Sequence, residues 1–120
     1  MEYKDTILGK LPSKSNCYKI ITIGGHASLC KQKVLKEYEK SFYAQCKLRD
    51  KNIESMFKLD VDIYHENNRP DLDNGFKLLL DCLQMARVIK NDRQCMEIHA
   101  RKLIDKEKPR IEFSISEIIL

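Results

Sequence analysis

The sequence predicts an α+β fold: one domain over residues 1–120, with two helices packed on a mixed sheet in the order β-β-α-β-α-β-β. Three patterns carry that prediction. Residues 57–64 alternate apolar and polar side chains, the period of a strand with one buried face. Residues 31–48 and the stretch after Asp73 repeat apolar side chains at three- and four-residue steps, the period of a helix face. The chain closes on two strand-like segments around Lys106-Glu107-Lys108-Pro109, which reads as the turn of a hairpin. Interleaved helices and strands followed by a hairpin imply a mixed sheet.

The elements follow in order. Residues 3–8 form a first strand, and Leu11-Pro12-Ser13-Lys14-Ser15-Asn16 is dense in loop formers. Residues 18–23 contain Ile20, Ile21, Thr22 and Ile23, a β-branched run that Gly24-Gly25 ends. Over 31–48, Val34, Leu35, Tyr38, Phe42 and Cys46 share a helix face, while Lys33, Lys36, Lys40 and Lys47 fall largely off it, as a solvated back would. Phe57, Leu59, Val61 and Ile63 then alternate with Lys58, Asp60, Asp62 and Tyr64. A second helix starts near Asp73, with Phe76, Leu79, Leu80, Leu83 and Ala86 as its stripe, and ends between Val88 and Asn91. Residues 97–103 and 110–115 are the last strands. The apolar tail Ile118-Ile119-Leu120 is a candidate interface strand, with packing on its own core the stronger alternative.

With 42% hydrophobic and 33% charged residues, the composition is that of a soluble globular protein with a charged surface. No apolar run approaches the roughly 20 residues of a membrane helix. Met1-Glu2-Tyr3-Lys4-Asp5 lacks the basic and apolar regions of a signal peptide, so a cytoplasmic location with no membrane contact is expected. The five cysteines, at 17, 30, 46, 82 and 95, are odd in number and form no CxxC pair. That excludes a disulfide framework and a cysteine-rich zinc site, leaving reduced thiols. No glycine-rich phosphate loop is present, which weighs against nucleotide hydrolysis. Residues 1–60 hold 12 Lys/Arg against 7 Asp/Glu, and residues 61–120 hold 10 against 11. A basic half suits phosphate and a mildly acidic half suits cations.

The densest chemistry lies between Arg69 and Gln94. Pro70 fixes its own φ and pushes Arg69 toward an extended conformation. Extension continued through Asp73 would project Asp71 and Asp73 to one side, as two hard-oxygen donors suited to Mg²⁺, with Mn²⁺ as a substitute. Lys77, one helical turn beyond Asp73, and Asp81, another turn on, lie beside the apolar stripe, with Gln84 near the same line. Lys77 is placed to hold a phosphate, and Asp92, just past the helix, to supply a third carboxylate. Plainer roles compete: Asp71 or Asp73 as a helix cap, Asp73, Lys77 and Asp81 as i,i+4 ion pairs of about 0.2–0.5 kcal/mol each, and Asp92 as a turn residue. Spacing alone leaves both readings open.

Asp71-Leu72-Asp73-Asn74, then Lys77, Asp81 and Leu83, then Asn91-Asp92 and Gln94, resembles the RusA family of Holliday-junction resolvases. That family pattern runs DxDN, then a lysine, an aspartate and a leucine at fixed steps, then an acidic pair and a glutamine. Leu11-Pro12-Ser13 resembles the family's proline–serine segment, with the following asparagine either replaced by Ser15 or displaced to Asn16. The resemblance implies a homodimeric, Mg²⁺-dependent endonuclease that binds four-way DNA junctions by structure and makes paired nicks. Asp71, Asp73 and Asp92 then correspond to the catalytic, metal-holding carboxylates and Lys77 to the essential lysine, with Asn74, Asp81 and Asn91 in support. Asn91 departs from the usual aspartate and implies weaker metal affinity. Lys10, Lys14, Lys19, Arg69 and Lys90 are the positions expected to contact DNA. Two other classes compete: a DNA-binding module with a degenerate, non-cleaving acidic site, and a different Mg²⁺-dependent phosphotransfer enzyme. Retention of all three carboxylates and Lys77 weighs against the former.

Overall fold

The computed structural model describes residues 2–13 and 17–119. The chain runs β1 (Glu2–Leu8), β2 (Tyr18–Ile23), β3 (His26–Lys31), α1 (Lys33–Gln45), β4 (Phe57–His65), α2 (Asp73–Met85), a 3-10 turn (Asp92–Gln94), β5 (Cys95–Ile104) and β6 (Arg110–Glu117). This is the expected α+β class, with the seven expected elements in order and one strand, β3, inserted.

β4 is central because its alternation is complete. Phe57, Leu59, Val61, Ile63 and His65 are all buried, and the residues between them are half-buried on the opposite face. The main sheet is ordered β1-β6-β4-β5. β4 runs antiparallel to β6 and parallel to β5, while β1 runs antiparallel to β6. Tyr38 and Phe42 of α1, and Leu79, Leu80 and Leu83 of α2, join the buried sheet residues in one core.

The expected hairpin of the last two strands is not formed. β4 lies between β5 and β6, so Lys106-Glu107-Lys108-Pro109 belongs to a connection that steps over a strand. Alternation marks both strands but carries no information about partner choice. β3 pairs with β2 across Gly24-Gly25, whose φ angles of +56° and +83° are those of a two-residue hairpin loop. Its sequence escaped detection because His26-Ala27-Ser28-Leu29-Cys30-Lys31 has no β-branched residue, and five of its six side chains are exposed.

Both helices are shorter than periodicity suggests. α1 ends where Cys46 turns extended, at φ −69° and ψ 113°. α2 ends before Arg87, which takes a left-handed φ of +55°. Val88 and Ile89 continue the apolar pattern as a buried segment, with Ile53 N donating to Val88 O at 2.9 Å and Lys90 N to Ile53 O at 3.3 Å. At the C-terminus, Ile118 N donates to Met56 O at 2.8 Å, while Ile119 is 94% exposed. Leu120 lies outside the described residues. No helix among the described residues is long and apolar enough to cross a membrane.

Candidate acidic site

α2 presents the acidic site because its first turn is pressed against the sheet. Gly75 makes that possible: a Cβ there would lie 2.5 Å from Ile63 Cδ1 and 2.8 Å from Leu11 Cδ2. The extended backbone expected through Asp73 stops earlier. Leu72 is already helical, with φ −59° and ψ −43°, and Asn74 N donates to Asp71 O at 3.3 Å. Asp71 and Asp73 therefore meet on one surface through the first helical turn, not through strand alternation.

That surface is a cleft of about 750 Å³. Asp71, Asp73, Asn74, Lys77 and Asp81 line it together with Arg69, and Pro12, Ser13, Cys17 and Tyr18 also contribute to the lining. The proline–serine segment and the DxDN segment thus share one cleft. Among the described residues, the carboxylates of Asp71 and Asp73 have no hydrogen bond or ion pair. Leu72, not an aspartate, holds the N-cap position and makes no side-chain cap bond. Asp73 in the first turn still sits favourably at the positive end of the helix dipole.

Asp92 is brought to the same edge by a chain of amide contacts. Asp92 N donates to Gln84 Oε1 at 2.9 Å, tying the 3-10 turn to α2. Asn91 caps that turn by accepting from Arg93 N at 2.9 Å, and Gln94 Oε1 accepts from Asn91 N at 2.6 Å. Gln94 Nε2 donates to the carbonyls of Ile53 and Ser55, each at 2.8 Å. Lys77 Nζ then reaches Asp92 Oδ2 at 2.8 Å and Asp81 Oδ1 at 3.2 Å. The hydrogen bond from Lys77 is the main reason the Asp92 carboxyl is held below its ordinary pKa, and the bond to Asp92 is the main reason the Lys77 ammonium is raised above its own.

The donors have the chemistry of a hard-cation site, since Asp71 and Asp73 are carboxylates open to the cleft. The third carboxylate is not grouped with them: Asp92 is occupied by Lys77 and does not line the cleft. Among the described residues, no three His, Cys, Asp or Glu side chains are grouped to hold a metal ion. The fit is thus to a cation held by one or two carboxylates, with water and substrate oxygens completing its coordination.

Of the basic positions expected to touch DNA, Arg69 lines the cleft. Lys10 pairs with Glu66 at 3.5 Å and Lys90 with Glu54 at 4.0 Å. Lys19 is exposed on β2, and Lys14, like Ser15 and Asn16, lies outside the described residues. All five cysteines are free. Burial pushes the Cys46 thiol up to about 11 and the Cys82 thiol to about 12, so both stay protonated. Sequence reasoning missed Tyr18 in the cleft and the positioning roles of Gln84 and Gln94. For Gln94 a signal existed, because Asn91 and Gln94 have capping-box spacing; nothing local marked Tyr18.

Residues 19–116 match the family model described as Endodeoxyribonuclease RusA. The chain is 36% identical over 64 residues to a protein named Crossover junction endodeoxyribonuclease RusA from Aquifex aeolicus (strain VF5), covering 52% of this chain and 51% of that one. It is 42% identical over 53 residues to Crossover junction endodeoxyribonuclease rusA of Lactococcus phage r1t, covering 44% of this chain and 40% of that one. The matched stretches thus span about half the relatives' length or less.

Proposed function

Because the chain belongs to the RusA family of endodeoxyribonucleases, we propose that it is a divalent-cation-dependent endonuclease that resolves four-way DNA junctions by paired nicks in recombination and repair. The observation that carries the reading is one cleft in which the carboxylates of Asp71 and Asp73, unpaired among the described residues, lie beside Lys77, which itself holds Asp92. Asp71 and Asp73 would hold Mg²⁺, or Mn²⁺ in its place, with Asp92 completing the acidic set on release from Lys77. When bound, the cation supplies neutralisation of phosphate charge and activation of water as a nucleophile.

The protein's own residues do the rest. Lys77 places a fixed positive charge where negative charge grows at the phosphate. Arg69, at the same cleft, neutralises the DNA backbone, with Lys10, Lys14, Lys19 and Lys90 as further phosphate contacts. Asn74 and Asp81 border the reacting groups, and Asn91 fixes the turn that carries Asp92. Because Asn91 acts as a cap, its replacement of an aspartate leaves the turn intact while removing one charge from the site. Residues 1–120 act as one domain, in the cytoplasm and as a homodimer. A two-fold dimer supplies two sites related as the two equivalent strands of a junction are.

The test compares cutting of a synthetic four-way junction with cutting of a linear duplex of the same sequence, in Mg²⁺. Paired nicks in the junction alone are expected. Equal cutting of duplex would remove the junction assignment. Tight junction binding with no cutting would favour a non-cleaving module, the reading that the Lys77-occupied Asp92 would then explain.

A further inference from the structure

β5 carries a lysine where its pattern calls for an apolar side chain. Ile98, Ala100, Lys102 and Ile104 register with Leu59, Val61, Ile63 and His65, the buried face of β4. Lys102 therefore leaves the sheet on its core-facing side, next to Ile63, whose Cδ1 lies against Gly75 in the first turn of α2. Because β5 is a sheet edge, the half-buried lysine stem can follow apolar surface while the ammonium reaches past it. The ammonium ends on two backbone carbonyls. Lys102 Nζ donates to Pro70 O at 3.1 Å and to Asn68 O at 3.3 Å, and among the described residues it pairs with no carboxylate.

Both carbonyls belong to the connection between β4 and α2, the segment that brings Arg69 and Asp71 to the cleft. They flank Arg69, and the Pro70 carbonyl is half of the peptide bond to Asp71. Within the connection, Arg69 N donates to Asn67 Oδ1 at 3.0 Å, and Pro70 has no N–H to give. Backbone acceptors on such a segment need donors from elsewhere, and an ammonium offers three at one point. We propose that Lys102 is a positioning residue for the acidic site: by holding the Asn68 and Pro70 carbonyls, it sets where the Asp71 carboxylate meets a divalent cation, without itself touching cation or DNA. The role rests on the cation-nuclease reading above. Its positive charge would repel a cation, but that repulsion is screened by water and salt. Loss of a group that orients a metal ligand typically costs about 10–100-fold in metal affinity, so the clamp outweighs the repulsion.

The test is Mn²⁺ binding to the full chain without DNA, followed by electron paramagnetic resonance of the free ion, with hydrogen exchange and melting measured on the metal-free protein. Lys102→Met should weaken Mn²⁺ binding about tenfold and speed exchange of the Arg69 amide. Its melting temperature should stay within a few degrees of the wild type, because an apolar side chain suits a core-facing position. Lys102→Arg keeps the charge and the donors, and should bind Mn²⁺ within about threefold of the wild type. In junction cutting, the Mg²⁺ concentration for half-maximal rate should rise in Lys102→Met by a factor similar to that for Mn²⁺. If Lys102→Met does not fold, Lys102→Gln carries the test; it keeps one donor group on a shorter stem and should weaken Mn²⁺ binding by about threefold. Wild-type or tighter Mn²⁺ binding by Lys102→Met would overturn the positioning role. So would weaker binding that came with a large loss of melting temperature and was not restored by Lys102→Arg, the signature of a merely structural lysine. A wild type that bound no Mn²⁺ would sink the cation reading and this role together, whereas wild-type binding that no Lys102 substitution altered would sink this role alone.

Discussion

Lys77 bridges Asp81 and Asp92, and it does so from a side chain that is 66% exposed. Ion pairs so open to water add little to stability, typically about 0–1 kcal/mol. A residue that contributes little to folding can be replaced with the fold intact. Lys77→Met should therefore melt within a few degrees of the wild type and lower junction cleavage by about 10²–10³-fold, the range for loss of one charge-stabilising group. Calorimetry and a gel-based cleavage assay would check the two halves. The same substitution should return the Asp92 pKa upward toward its ordinary value, readable by carboxyl-carbon NMR titration.

At this scale the sequence was informative where chemistry depends on near neighbours. Asp73, Lys77 and Asp81 are one turn apart, and their shared edge follows from helix geometry alone. Asp92 was placed mainly by resemblance, since its approach to Lys77 depends on Gln84, on the Asn91–Gln94 cap and on the carbonyls of Ile53 and Ser55. Those bonds join segments up to 41 residues apart, which local pattern cannot register.

Elements set how tightly the site is held. The first turn of α2 approaches β4 only because Gly75 has no side chain. Gly75→Ala adds a methyl where Ile63 Cδ1 and Leu11 Cδ2 already lie, and both are rotatable ends of side chains that can give way. Overpacking of this kind costs about 1–3 kcal/mol, against roughly 0.5–1 kcal/mol gained from alanine's helix preference. A net loss of about 1 kcal/mol in urea denaturation is expected. Cleavage should fall by more than that loss explains, since the displaced turn carries Asp71 and Asp73. Unchanged stability and unchanged cleavage together would show that the close approach has no consequence.

Element type was legible and element pairing was not. β4 alternates without a break, and both helices show their stripes. The parallel β4–β5 pairing follows from the crossover through α2 that joins them, and β6 then pairs with the other side of β4, although the turn residues before it resemble those of a hairpin. β3 was hidden because the β2–β3 ribbon is exposed along most of both strands, so burial imposes no pattern on its sequence. The paired glycines were the available signal.

For the whole molecule, three surface pairs each add a small acid-sensitive contribution to stability. Asp62 beside Arg101, Asp92 beside Lys77 and Asp105 beside Arg110 all have carboxyls held below the ordinary aspartate value, chiefly by those hydrogen bonds. A lowered pKa means the unfolded chain binds protons first, so each contribution is present above the ordinary value and is lost as pH falls through the lowered one. Lys77, raised above the ordinary lysine value, contributes fully below that value and loses its contribution as pH rises through the raised one. The melting temperature should therefore be nearly flat across neutral pH and fall below about pH 4, where aspartates begin to protonate. A midpoint that dropped steeply between about pH 5 and 7, the histidine range, would contradict this and place the limit at a histidine such as the buried His65.

The central claim, that the Asp71 and Asp73 cleft is a divalent-cation nuclease site, is tested most directly by single-turnover cutting of a four-way junction. Wild-type protein and Asp73→Asn would each be assayed with Mg²⁺ and with chelator, alongside gel-shift binding of the same junction. The account predicts cutting only by wild type with Mg²⁺, and junction binding retained by Asp73→Asn. Cutting that persisted in chelator, or in Asp73→Asn at the wild-type rate, would contradict it.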